Sequence, residues 1–123
     1  MKKAKEIKWF KEPESHDYPA VVSYLSLIFA EATAKDYTAD LKKAKMSEFK
    51  AKDVFRASSL SLLGVSNSHV EKNLKKIKKG EKMSPILLVR DSENSKVIIA
   101  DGYHRLCAVY AISEDALIPC KIV

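Results

Sequence analysis

Cysteine is scarce, two residues in 123, and glycine (three), proline (four) and tryptophan (one) are hardly commoner. Two cysteines do not make the dense framework of a small disulfide-stapled secreted domain, and no Cys/His spacing resembles a zinc site. So few glycines and prolines leave no low-complexity linker, and no internal repeat is visible. Aromatics are 8% of the chain, too few to suggest a stacking platform for single-stranded nucleic acid. The longest largely apolar stretch runs from Tyr18 to Ala30, too short to span a bilayer. Met1-Lys2-Lys3 resembles a signal-peptide start, but Lys8 and Lys11 interrupt the apolar residues that follow. Cys107 and Cys120 sit among apolar neighbours and read as reduced core thiols. A cytoplasmic, non-membrane protein is the expectation.

What is present is enough for one domain with a real core, 46% of the residues being hydrophobic. The formal charge of +6 is unevenly placed. Residues 1–11 hold five lysines and one glutamate, and residues 70–82 hold six lysines and two glutamates, so each stretch carries +4 while the rest is nearly balanced. A solvated helix face is the plain reading of the second stretch. A polyanionic partner, nucleic acid included, is the alternative.

Lys5–Phe10 partly alternates polar with apolar residues and reads as a short strand. Asp17 is an expected N-cap, with Pro19 in the first turn of a helix whose apolar face (Val21, Val22, Leu25, Ile28, Phe29) continues to about Ala32. A second helix is expected over about 36–45. Met46–Phe55 reads equally as a strand or as a helical turn. Ser66-Asn67-Ser68 offers a cap for a helix with inward Val70, Leu74 and Ile77, stopped by Gly80. Ile86–Val89 and Val97–Ala100 read as buried strands around a polar turn at 91–95, Leu106–Ile112 as an apolar helix, and Leu117–Val123, with Pro119, as an edge-compatible strand. The class is α/β (α+β): a small mixed sheet packed with helices, in which residues 1–65 form an arm and helical cap and 66–123 the core of a single domain.

One segment carries chemistry. At Asp101-Gly102-Tyr103-His104-Arg105 a strand runs directly into a helix. A glycine there permits close backbone approach, and the free amides at a helix start favour an anion such as phosphate. Beside them stand an acid, a hydrogen-bonding aromatic, a titratable donor and a cation with forked donors. The alternative is a tight turn in which Asp101 caps the helix and His104 and Arg105 are merely solvated. Lys52, Asp53 and Arg56 can line the same pocket or form an exposed turn with an internal salt bridge, and the latter is slightly favoured. His16 reads as a loop residue.

Taken together, Ser84-Pro85-Ile86-Leu87-Leu88-Val89-Arg90 and Val97-Ile98-Ile99-Ala100-Asp101-Gly102-Tyr103-His104-Arg105-Leu106-Cys107-Ala108 resemble the ParB N-terminal and sulfiredoxin-like superfamily, over roughly residues 66–123. That resemblance implies a small α/β fold with a nucleotide phosphate site. Partition proteins of this type use CTP, sulfiredoxins use ATP, and a free-serine kinase relative uses ADP with an Asp-Gly-His-His-Arg form of the motif. Carried onto this chain, Gly102, Tyr103, His104 and Arg105 become phosphate contacts, Asp101 and His104 catalytic candidates, and Asp101 a ligand for Mg2+. A helix beginning near His69 would then face the nucleotide, giving His69, Lys72 and Lys76 a role there. Tyr103 stands where sulfiredoxins carry their catalytic cysteine, so reductase chemistry is not expected. The expected function is nucleotide binding, with phosphotransfer or nucleotide hydrolysis; a nucleic-acid-binding or nuclease-like accessory module and a non-catalytic adaptor are the alternatives.

Overall fold

The computed structural model describes residues 6–62, 64 and 67–123. Ser66 and Lys5, which enter the expected cap and strand, lie outside the described residues. The elements are α1 (Asp17–Leu25), α2 (Glu31–Lys43), β1 (Ser47–Lys50), α3 (Ala51–Ser58), α4 (Ser68–Lys78), β2 (Ile86–Asp91), β3 (Lys96–Asp101), α5 (Tyr103–Ile112) and β4 (Leu117–Ile122), with a 3-10 turn at Ser92–Asn94. They form the expected mixed α/β architecture. No described helix is long and apolar enough to cross a membrane.

The sheet order is β1-β4-β2-β3. β1 pairs antiparallel with β4, β4 parallel with β2, and β2 antiparallel with β3. Alternate residues along a strand face opposite ways, and here both faces are covered. Ile86, Leu88, Val97, Ile99, Ile118 and Cys120 pack in one cluster with Val54, Val70, Ile77 and Leu106 from α3, α4 and α5. Leu87, Val89, Ile98 and Ala100 pack in a second with Val21, Leu25, Ala34 and Leu41 from α1 and α2. Burial on both faces is why 86–89 and 97–100 read as continuous apolar runs rather than alternating ones.

Several expectations are corrected. β4 is an interior strand, not an edge. Pro119 is tolerated there because the parallel pairing with β2 begins at Cys120, one residue beyond it. α1 stops at Leu25 although the apolar spacing continues, because the chain must turn back to lay α2 on the same sheet face. Ser26 closes the last turn, its hydroxyl donating to Val22 O at 2.7 Å, and Phe29 folds back onto Tyr37 with ring centroids 5.2 Å apart. α2 therefore begins five residues earlier than expected. Asp17 is not the cap of α1: His16 takes that position without a side-chain bond, and Asp17 is buried as the first helical residue. Among the described residues the arm makes one parallel bridge, Trp9 to Met83, and no strand. Segment 46–55 is both things read for it in series, a strand and then a helix.

The α4 cap agrees with expectation, the Asn67 side chain accepting from the His69 and Val70 amides at 3.0 and 3.2 Å, and Gly80 follows the helix with φ 76°. Cys107 and Cys120 are both buried, and burial pushes the Cys120 thiol up to about 12.

Candidate functional site

The junction between β3 and α5 is shaped by two backbone features. Opposite β2, Leu88 pairs with Ile99 but Leu87 pairs with Asp101, so Ala100 is an extra residue and the register slips by one. Such a bulge re-aims side chains. Directly paired residues share a face, so Asp101 is brought to the side on which Leu87 meets α1, where Asp17 lies. Gly102 follows with φ 108°, in the left-handed region that favours glycine. A Cβ here would stand 2.3 Å from Ile86 Cγ2 and 3.0 Å from Arg105 Nη2. Gly102 is thus required by packing and backbone conformation, whatever ligand approaches.

Asp101, Asp17 and Arg105 form a largely buried charge cluster. Arg105 Nη2 donates to Asp101 Oδ2 at 2.8 Å and to Pro85 O at 3.3 Å, and lies 3.8 Å from Asp17 Oδ2. Ser84 Oγ donates to Asp17 Oδ2 and accepts from the Glu14 amide at 3.1 Å, joining the arm to the cluster. His16 Nε2 lies 3.0 Å from Glu14 Oε2 and 3.4 Å from Asp17 Oδ1. Burial holds the Asp101 carboxyl above its ordinary range despite the opposing pull of Arg105, and the nearby Asp17 adds to the rise. Arg105 therefore serves first as the tie between two buried acids. Its Nε is buried and has no hydrogen-bond partner among the described residues.

Outside this cluster lies a polar cleft of about 160 Å3 lined by His69, Asn73, Asp101, Gly102, Tyr103, His104 and Arg105. The first intrahelical bond of α5 runs from the Leu106 amide to Gly102 O at 2.9 Å, which leaves the amides of Tyr103, His104 and Arg105 at the helix mouth. The His104 and His69 rings, both lining the cleft, pack against each other at a tilt with centroids 4.8 Å apart. A wider chamber of about 420 Å3 opens from the same junction, lined by Ala20, Tyr24, Leu60, Ile99, Ala100, Asp101, Gly102, Tyr103 and His104. The Tyr103 hydroxyl donates to Ser61 O, tethering the segment after α3 to the junction. Burial, with Cys107 next, keeps that phenol above its ordinary range, so it remains a donor at neutral pH.

The structure thus brings His69 to the motif, together with Asn73 one helical turn further on. The spacing of four from His69 was the available signal for Asn73, and the sequence reading missed it. The sequence reading takes Asp17 chiefly as a helix cap and Ser84 only as the start of the resembling segment, and assigns neither to this site. Lys72 and Lys76 are exposed on α4 and do not line the cleft. Nor do Lys52, Asp53 and Arg56: Lys52 pairs with Asp115 at 2.7 Å, and Arg56 with Asp53 at 3.3 Å, the internal salt bridge favoured above. A resident Mg2+ fits poorly. Asp101 is the single carboxylate among the described residues lining the cleft and its Oδ2 is taken by Arg105, while no group of three metal-ligating side chains occurs among the described residues.

Burial, followed by the neighbouring His69, holds the His104 imidazole below its ordinary 6.5. The unfolded chain consequently binds more protons than the folded one between the depressed value and 6.5, and this group costs stability as pH falls through that window. His104→Asn should remove that part of the acid-side loss, seen as a flatter dependence of the urea midpoint on pH from about 7 to 5. Comparisons of this chain with family models, curated proteins and solved structures return no match.

Proposed function

We propose that the β3–α5 junction binds a nucleotide, its phosphates in the polar cleft and its nucleoside in the adjoining chamber. The observation that carries this reading is that Tyr103, His104 and Arg105, which precede the first intrahelical amide bond of α5, line one small polar cleft together with His69 and Asn73. Helix-terminal amides and the positive end of the helix dipole favour an anion there. Two imidazoles and the Asn73 amide add side-chain donors. Tyr24, Leu60 and Tyr103 give the chamber apolar and aromatic walls suited to a ring system. The resemblance of the Asp-Gly-Tyr-His-Arg segment to the ParB and sulfiredoxin-like motif supports the same ligand class. For phosphotransfer, His104, whose imidazole burial holds below its ordinary range, is the side chain we assign to accept the proton of an acceptor hydroxyl.

The role of Arg105 changes how the reading is tested. Because its guanidinium ties Asp101 and Asp17, removing it disturbs the fold, and the histidines are the cleaner probes. Calorimetric titration with ATP, ADP and CTP, with and without Mg2+, should show saturable binding of at least one of them. His69→Ala and His104→Ala should each weaken it about tenfold, the cost of losing one charge-assisted hydrogen bond. A wild type that binds none of the three nucleotides, or a His104→Ala variant that binds equally well, contradicts the proposal.

A further inference from the structure

The two basic stretches are distant in sequence and adjacent in the fold. Trp9 bridges Met83, the Met83 amide donates to Lys8 O at 2.8 Å and the Phe10 amide to Met83 O at 2.8 Å, which lays the arm beside the end of α4. A Cβ on Gly80 would lie 3.7 Å from Lys8 Nζ, and Lys82 Nζ stands 5.8 Å from the centre of the Phe10 ring. On α4, Val70, Leu74 and Ile77 pack on the core, so the helical period turns Lys72, Lys75, Lys76 and Lys79 away from it. The charge of the helix and the charge of the arm therefore continue one another on a single surface.

Little neutralises that surface. Residues 6–11 and 70–82 hold eight lysines, all exposed, against three glutamates. Lys75 pairs with Glu71 at 3.2 Å, and no other of the eight forms an ion pair among the described residues. α5, against which α4 packs, carries no carboxylate. With Glu48, which shares a cavity with Lys11, counted against the lysines as well, the surface still carries four net positive charges. None of these lysines lines the cleft or the chamber at the β3–α5 junction, so the anion they face is a different one. An open array of this kind suits a repeating polyanion rather than a single phosphate group.

The side chains around the lysines select among polyanions. Binding in a membrane interface requires an apolar face beside the basic one, and the apolar residues of α4 are turned inward. Phe10 is the one exposed large hydrophobic residue of the two segments, and Lys82 lies over its ring. That leaves no aromatic cluster to anchor an acidic protein and no platform on which the bases of a single strand would stack. Lys72, Lys76 and Lys79 follow one face of α4 over about 10 Å, the length of about three consecutive phosphates of one strand of a duplex. We infer that this surface binds the phosphodiester backbone of a nucleic-acid duplex. Sequence is not read, because lysines meet phosphates as point charges and neither segment holds an arginine to fork onto a base edge.

The test uses the full chain and a fluorescently labelled DNA duplex, its anisotropy followed through a series of salt concentrations. The logarithm of the affinity should fall linearly with the logarithm of salt, with a slope of about −4 for four or five phosphate contacts, and alike for a duplex of shuffled sequence. Lys72→Gln, Lys76→Gln and Lys79→Gln combined, all at exposed positions, should flatten the slope by about 2.7 and weaken low-salt binding by about tenfold or more. Lys8→Gln and Lys82→Gln ask whether arm and helix act as one surface, and each should flatten the slope by about 1. Lys35→Gln with Lys96→Gln removes two cations that belong to neither segment and should change the affinity by less than about twofold. The inference is overturned if the duplex does not bind at low salt, if the triple variant keeps the wild-type affinity and slope, or if a single strand of the same length binds equally well. Capture by anionic phospholipid vesicles at salt concentrations that release the duplex would also overturn it, assigning the surface to a membrane. His104→Ala should bind the duplex as the wild type does, and saturating ADP should not displace it, so this surface and the nucleotide site stand or fall separately.

Discussion

Gly102→Ala is expected to destabilise the protein by about 4 kcal/mol, the largest effect of a methyl group added at any of the three glycines. Two costs combine. A non-glycine residue in the left-handed region loses about 1–2 kcal/mol, and overpacking a filled core costs about 1–3 kcal/mol. The second cost is at the upper end because the new Cβ meets Ile86 Cγ2 at 2.3 Å and Ile86 Cβ at 2.9 Å, and Ile86 is fully buried in β2 with nowhere to move. Gly80 is the internal control. Its φ of 76° carries the conformational cost, but a Cβ there would meet only Lys8 Nζ at 3.7 Å. Gly80→Ala should therefore lose about 1 kcal/mol. Urea denaturation of the two variants beside the wild type measures the difference directly. Near-equal costs would mean that the contact between β2 and the start of α5 is looser than described. A glycine of this kind is a poor probe of ligand binding, since its loss removes the junction itself.

Arg105→Ala is expected to cost about 3 kcal/mol at neutral pH. Removing one member of a buried charge cluster leaves the others uncompensated, which costs about 3–5 kcal/mol where water is excluded. The Arg105 and Asp101 side chains are each 18% exposed, which places the effect at the low end, while Asp17 is nearly fully buried. Loss of the guanidinium also removes the influence that opposes the burial-driven rise of the Asp101 carboxyl, so that group should protonate at a higher pH in the variant. The sign follows from linkage. The penalty is present while Asp101 is ionised, above its folded value, and fades as pH falls through that value and the acid becomes neutral. The gap in urea midpoint between wild type and Arg105→Ala should accordingly narrow from pH 7 to about pH 4. A cost below about 1 kcal/mol, unchanged with pH, would show that Arg105 is a solvated cation rather than the tie between Asp17 and Asp101.

That tie explains what could and could not be read in the sequence. The strands at 86–89 and 97–100 were legible because residues buried on both faces leave an uninterrupted apolar run, and the α4 cap because Asn67 acts within three residues of itself. The chemistry-bearing junction was legible as a cluster of residue types, but their division of labour was not. Whether Arg105 faces a ligand or two acids depends on Asp17 and Ser84, which are distant in sequence and reach it only because α1 crosses that sheet face and the Ala100 bulge turns Asp101 towards it. Likewise, Pro119 misled because a proline tolerates an edge by one route and an interior strand by another, and only the start of the β2–β4 ladder distinguishes them. The lysines at 72 and 76 lie on the helix that carries His69, and a one-dimensional charge sum could not separate the face lining the cleft from the face in water.

The excess charge of residues 70–82 is thus borne on exposed positions of α4 and just beyond it, while the cleft itself is served by two imidazoles, an amide side chain and the start of α5. The most direct measurement of that central claim is a titration of 15N-labelled protein with ADP, followed amide by amide. The account predicts saturable shifts concentrated at Tyr103, His104 and Arg105, with the His69 and His104 imidazoles moving at the same midpoint and both responses weakened in His104→Ala. Shifts confined to the exposed lysines of α4, or no shift at 103–105 at saturating ADP, would contradict it.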